Sequence, residues 1–204
     1  MLEIVTGLSL AAAAGLNAYI PLLGIGLLAR FTPVIDLPDA WSWIANEWVL
    51  GILGILLVVE LVVDKVPALD SVNDVLQTII RPTSGGLVFS AGSASDTVAV
   101  TDPEAFVNSA AFWPFVIGVV IALVPHIFKL VARPVVNLTT GGAGAGVMSA
   151  IEDIAAVIVT ILAVVVPLLA LAMIVGCIIL MVRAIRKMRK RRAARSGQQP
   201  ITES

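Results

Sequence analysis

The sequence predicts an all-α fold, a polytopic transmembrane helical bundle of four to five spans with an interfacial element and room for a re-entrant one. Three observations predict it. The 204 residues are 59% hydrophobic and only 13% charged, with a mean hydropathy of +1.03, outside the range of ordinary soluble domains. Several apolar runs approach the roughly 20 residues that a helix needs to cross lipid. Basic residues gather at one end: eight of the thirteen Lys and Arg residues lie between Arg183 and Arg195, directly after an apolar helix, as the positive-inside rule expects of a cytoplasmic anchor. No linker rich in Pro, Gly or Ser divides the chain, so residues 1–182 read as one transmembrane domain and 183–204 as a basic cytoplasmic tail.

Ile4 to Ala29 is predicted as a retained first span, because it lacks the basic n-region of a signal peptide and is too long for an h-region. Its Gly, Ala and Ser residues suit close helix contact. Asn17, four residues before Pro21, acts either as helix glue or as part of a pathway, and both roles turn it toward protein. Phe31 to Glu47, with Pro33, Pro38, Trp41 and Trp43, is expected to lie flat at headgroup level on its indoles.

The second span runs from Trp48 to about Lys65. Val66 to Arg81 has a helical period, with Asp70, Asn73, Asp74 and Gln77 on the polar face, and is predicted to end at Arg81-Pro82. Leu87 to Val100, heavy in Ser and Gly and containing Asp96, reads as a packed helix of marginal length or a re-entrant loop. Thr101 to Asn108 is a polar turn. Ala110 to Leu130 is the next span, and an irregular Gly-rich stretch leads to a last helix beginning near Ser149, with Glu152 and Asp153 in its first turn, where the macrodipole favours negative charge. Ile154 to Val182 is apolar for 29 residues, more than one bilayer thickness, with a kink expected at Pro167. Arg81-Pro82-Thr83-Ser84-Gly85-Gly86 is similar to Arg133-Pro134 followed by Thr139-Thr140-Gly141-Gly142, which suggests an internal repeat of broken elements.

The chemistry lies in the ionisable groups that interrupt these runs. Glu60 sits inside an apolar helix and Asp64 follows one turn later on the same face, with Lys65 next to it. An ionisable group at mid-bilayer costs about 2.5–3.5 kcal/mol on insertion scales, so it faces a partner or a water-filled cavity. With Asp70, Asp74, Glu152 and Asp153 these acids suit a hard cation, for which Glu60, Asp64, Asp70 and Asp74 are the candidate ligands. Paired with Lys65, Lys129 or Arg133, they suit a proton- or cation-coupled pathway, or a lattice of salt bridges holding helices in register. The Thr139-Thr140-Gly141-Gly142-Ala143-Gly144 stretch lets backbone approach a ligand, but lacks the Lys-Ser/Thr ending of a phosphate-binding loop. His126 is the single histidine and cannot build a zinc site alone. The lone Cys177 excludes an internal disulfide. The basic run from Arg183 to Arg195 is expected to mark topology and to touch anionic lipid, with no nucleic-acid role.

Three motifs in order carry a resemblance: Gly15-Leu16-Asn17-Ala18-Tyr19-Ile20-Pro21-Leu22; Glu60, Asp64-Lys65, Pro67 and Asp70; and Thr139-Thr140-Gly141-Gly142 with Gly144, followed by Ser149 and Glu152-Asp153. Together they resemble the bacterial integral-membrane family known as domain of unknown function 4126, across nearly the whole chain. Asn17 stands where its members often carry Arg, and Ala145-Gly146 where they carry Asn-Pro. The resemblance implies a multi-pass protein of the bacterial cytoplasmic membrane and brings no activity or cofactor with it.

The leading expectation is a small transporter or channel-like protein, homo-oligomeric in the bilayer, that moves an ion, a small polar solute or a lipid headgroup through a polar intramembrane cavity. The residues expected to line it or bind substrate are Asn17, Glu60, Asp64, Lys65, Asp70, Asp74, His126, Lys129, Arg133, Thr139, Thr140, Gly141, Gly142, Glu152 and Asp153. The alternatives are a membrane enzyme acting on a lipid phosphate, with Asp70 and Asp74 on a metal and Arg81 or Arg133 on the phosphate, and an accessory or assembly subunit without chemistry of its own.

Overall fold

The computed structural model describes residues 2–93, 112–141 and 143–167, and beyond those 169, 170, 172, 174–176, 178, 179, 182, 183 and 186. The polar turn at 101–108, Asp96, Gly142, Cys177 and most of the basic tail lie outside the described residues. Six α-helices and one 3-10 helix form the described fold: α1 (Leu2–Leu16), α2 (Tyr19–Phe31), the 3-10 helix Asp39–Ala45, α3 (Glu47–Val63), α4 (Pro67–Gly92), α5 (Phe112–Thr140) and α6 (Ala143–Val165). By length and composition, Phe112–Thr140 and Gly146–Val165 can each cross a membrane, and the 3-10 helix with α3, bent by 57°, makes a third candidate.

The expected first span is two helices. Asn17 ends α1, and its Oδ1 accepts the backbone N–H of Tyr19 at 3.0 Å and of Ile20 at 3.1 Å, so the side chain caps α2 as N-cap asparagines do. The chain reverses there. α1 runs antiparallel to α4, with Gly7 against Phe89 and Gly85 against Ala11. α4 runs antiparallel to α5, with Gly85 against Gly118, Thr78 against His126 and Asp74 against Arg133. α5 turns back into α6 at Gly141, whose φ of 62° is left-handed backbone that glycine adopts without a Cβ penalty. α2 then follows α6 in the same direction, from Asn17 beside Asp153 to Gly24 beside Thr160, and so leads away from the apex opposite to α1. Helices of 15 and 13 residues reach only about 22 and 20 Å at 1.5 Å per residue, short of the hydrocarbon thickness.

The outward and inward faces are the reverse of a soluble protein. On α5, Ile117, Val120, Val124, Ile127, Val131 and Val135 are partly or largely exposed, while Gly118, Ala122, His126, Lys129 and Arg133 form the buried stripe. On α4, Val72, Val75, Leu76 and Ile79 face out, and Asp74, Gln77, Arg81 and Ser84 face in. Apolar side chains outside and charged ones inside are what a lipid solvent selects. The amphipathic period of 66–81 is as expected, but its polar face points inward.

Several boundaries differ from expectation, for physical reasons. α4 continues through Arg81-Pro82 to Gly92, and α5 continues through Pro125 and Pro134 to Thr140. Proline removes an i to i−4 bond, but all three prolines lie in α4 and α5, which pack extensively against each other and against α1, a setting in which membrane helices tolerate it. The described part of 87–100 is thus the end of α4 and no separate segment. α6 begins at Ala143, which puts Glu152 and Asp153 past its second turn rather than in its first. Trp41 is buried with Ile44 in the core cluster that includes Leu22 and Ile25, so of the connector's two indoles only that of Trp43 is exposed. A break at Val166-Pro167 follows α6, where the kink is expected. Of the suggested repeat, both Arg-Pro pairs lie inside helices, but Gly85-Gly86 is mid-helix and Gly141 is a turn.

Small residues set how closely the inner helices approach. A Cβ on Gly118 would overlap the Gly85 carbonyl and stand 2.6 Å from the Phe89 Cβ. Gly118→Ala therefore forces α4 and α5 apart and is expected to cost about 1–3 kcal/mol. Gly51→Ala on α3, where a Cβ meets nothing, is expected to stay within about 0.5 kcal/mol of wild type or gain slightly from helix propensity. Unfolding of the two purified variants in mixed micelles checks the contrast.

Candidate functional site

The inward polar faces converge on Asp64. α3 ends at Val63 and α4 begins with Pro67 at its N-terminus, so Glu60 and Asp64, one turn apart, both turn toward α4 and α5. Asp64 Oδ2 accepts from Lys129 Nζ at 2.8 Å, from Ser149 Oγ at 3.2 Å and from Arg133 Nη2 at 3.4 Å, with Arg81 Nη2 at 3.8 Å. Its Oδ1 accepts from Asn73 Nδ2 at 2.7 Å.

Each of the three buried cations holds a second carboxylate. Arg81 Nη2 meets Glu60 Oε1 at 3.0 Å, Arg133 Nη1 meets Asp74 Oδ1 at 3.0 Å, and Lys129 Nζ lies 3.0 Å from Glu152 Oε2. Arg81 Nη1 also reaches the Gly15 carbonyl at 3.5 Å, which ties the apex of the α1–α2 reversal to the network. Asp64 is thus shared by three cations that otherwise serve three different acids. Taking such charges from water is costly, and only dense mutual pairing of this kind makes their burial tolerable. At about 1.5 Å per residue Lys129 lies roughly 25 Å along α5 from Phe112 and 16 Å from Thr140, well within the length of the helix.

A smaller group adjoins it at the apex. Asn17 Nδ2 donates to Asp153 Oδ1 at 3.0 Å, and Lys65 Nζ stands 3.9 Å from Asp153 Oδ2 while donating to the Leu61 carbonyl at 2.8 Å. Asn17 therefore faces protein, as both of its expected roles require. His126 Nε2 lies 3.0 Å from Thr78 Oγ1. Because that hydroxyl already donates to the Asp74 carbonyl, the imidazole is the donor through Nε2, leaving Nδ1 as a buried acceptor without a partner.

The structure brings together Asn17, Glu60, Asp64, Lys65, Asp74, His126, Lys129, Arg133, Glu152 and Asp153. It separates the Gly-rich turn from them. Thr139, Thr140 and Gly141 are exposed, with Thr139 Oγ1 turned back to the Val135 carbonyl at 2.9 Å and Gly144 N–H donating to Thr140 Oγ1 at 2.9 Å. They close the α5–α6 hairpin. Asp70 lies on α4, and its side chain is outside the described residues. Among the described residues no group of three or more His, Cys, Asp or Glu side chains is placed to hold a metal ion; Glu60, Asp64 and Asp74 are engaged by Arg81, Lys129 and Arg133.

Sequence reasoning named Arg81 only as a phosphate ligand of the enzyme alternative, and did not single out Asn73, Gln77, Ser149 or Thr78 as site residues. The signal was present in α4: Asp74, Gln77, Arg81 and Ser84 recur at spacings of three and four, the stripe of one helix face. Gln77 and Arg81 are buried there.

The family described as Domain of unknown function (DUF4126) matches residues 4–187. Neither the curated proteins nor the solved structures give a match.

Proposed function

The chain belongs to the DUF4126 family, a premise that fixes an architecture but no activity, and from the site itself we propose a small transporter or channel-like membrane protein that moves an ion, a small polar solute or a lipid headgroup. One observation carries this reading. Four helices, α3 to α6, bring a dense set of charges to one place along their length, beside the apex of two helices too short to cross the bilayer. Reversals of this kind put irregular backbone inside the membrane thickness only where protein or a cavity receives it. Ionisable groups buried within membrane helices mark substrate and ion paths as a rule. The same reading puts the protein in a bacterial cytoplasmic membrane, with more than one copy per assembly and the basic run after Val182 inside and near anionic lipid.

Flux measured across proteoliposomes tests it. Wild-type protein is expected to move at least one member of a panel of monovalent ions, small polar solutes and headgroup-labelled lipids, and Asp64→Asn to abolish that movement while Thr139→Ala retains it. Absence of movement for the whole panel, or full activity of Asp64→Asn, would contradict the proposal.

A second reading has an observation of its own. Both Asp64 oxygens are occupied by donors, as in a lattice that only fixes helix register, and an accessory subunit would need no more. Co-purification with one stoichiometric partner, together with cellular tolerance of Asp64→Asn, would favour it.

A further inference from the structure

Within the two polar groups the described side chains do not balance. Glu60, Asp64, Asp74, Glu152 and Asp153 are five acids, and Lys65, Arg81, Lys129 and Arg133 are four bases. Fully ionised, the group holds one negative charge too many, in a setting where an uncompensated charge is strongly disfavoured. One bound cation removes the excess.

Geometry selects the acid that holds it. Glu60 is 2% exposed, its Oε1 faces Arg81, and its Oε2 is buried without a hydrogen-bond partner. Asp64 has donors on both oxygens, and Asp74 faces Arg133. Glu152 Oε2 and Asp153 Oδ2 also lack a hydrogen bond, but each faces a cation, Lys129 at 3.0 Å and Lys65 at 3.9 Å. The charged groups that reach Glu60 are Arg81 from α4, Lys129 from α5 and Asp64 from the end of its own helix; Tyr19 faces it from α2.

We infer that Glu60 is a proton-binding site: its Oε2 carries an exchangeable proton at neutral pH, leaving four carboxylates opposite four cations. A neutral acid leaves no uncompensated charge on that buried, unpartnered oxygen, so the arrangement suits it better than an anion. Loss of the proton restores the excess charge: it strengthens the Arg81–Glu60 pair but sets Glu60 against Asp64, which shares Arg81. If the transport reading holds, on which this further step rests, the proton is the coupling ion, bound and released as the network closes and opens.

Infrared spectroscopy of the full chain in sodium-free lipid vesicles at neutral pH tests the site directly. The expected result is a protonated-carboxyl C=O band that shifts with carboxyl-13C glutamate and not with labelled aspartate, and disappears in Glu60→Gln. The isotope shift assigns the band to a glutamate without any variant; where Glu60→Gln fails to fold, Glu60→Asp, whose band should follow labelled aspartate instead, keeps the site testable. A missing band, a band that follows aspartate, one that persists in folded Glu60→Gln, or one abolished by adding sodium overturns the assignment. Vesicles that transport nothing while the band behaves as expected would sink the transport reading and leave the proton site standing.

Discussion

Asp64→Ala is expected to destabilise the protein by about 3–5 kcal/mol, the range for breaking a buried ion pair by removing one partner. The reason is the shared carboxylate. Lys129, Arg133 and Arg81 all lie within 4 Å of Asp64 Oδ2, so its removal leaves three buried cations facing only Glu60, Asp74 and Glu152, with Asn73 and Ser149 losing their acceptor. Asp64→Asn keeps the shape and one acceptor oxygen but not the charge, and should recover little. Reversible unfolding in mixed micelles measures both. A loss below about 1 kcal/mol, the value of an exposed pair, would mean that Asp64 is hydrated.

The second large effect is expected at Lys129. Its ammonium makes the shortest of the ion pairs, 2.8 Å to Asp64, and bridges to Glu152 at 3.0 Å, thereby joining the end of α3 to α5 and α6. Lys129→Met keeps the aliphatic stem and removes the charge, leaving two acids buried around an apolar side chain. A loss of about 3–5 kcal/mol is expected again. Adding Glu152→Gln to that variant removes one of the stranded acids. The double variant should therefore be more stable than Lys129→Met alone, with a coupling energy of about 0.5–3 kcal/mol between the two positions. Strict additivity in the same micelles would show that the two groups do not share an environment.

Much of this arrangement was legible in the chain. The position of Glu60 in an apolar run, Asp64 one turn on, and His126, Lys129 and Arg133 at spacings of three and four all point to one inward face on each of two helices. Which face met which was not legible. Lys129 and Asp64 are 65 residues apart and Ser149 and Asp64 are 85 apart, and periodicity carries no information on pairing between elements.

Two misreadings share a cause, the use of rules drawn from water. Arg81-Pro82 and Arg133-Pro134 look like helix ends because an interior proline is expensive in a soluble helix. In a packed membrane helix, contact with neighbouring helices offsets the cost, and both arginines stay in mid-helix where they meet Glu60 and Asp74. The period of 66–81 likewise fixes two faces without saying which is inside. With lipid as solvent, Val72, Val75 and Ile79 go out, and Asp74, Gln77 and Arg81 go in.

The break in the expected first span escapes notice for a different reason. Pro21 does not make it, for it lies in the first turn of α2, where a missing N–H is harmless. Asn17 makes the break by capping the second helix with its own side chain. A cap of this kind is visible in sequence only as one polar residue in an apolar run. It becomes recognisable once Asp153 is seen holding the amide end of the same side chain.

The account rests on a buried polar centre that opens to water during turnover, and thiol accessibility tests this most directly. With Cys177 replaced by Ser, Ser149→Cys places a thiol against Asp64, whereas Thr140→Cys places one on the exposed hairpin. In sealed proteoliposomes a small membrane-impermeant thiol reagent should label Thr140→Cys completely and fast. Ser149→Cys should label more slowly but to completion, at a rate that changes with a pH gradient or with a transported solute. No labelling of folded Ser149→Cys under any of these conditions would contradict the account and leave a permanently closed lattice in its place.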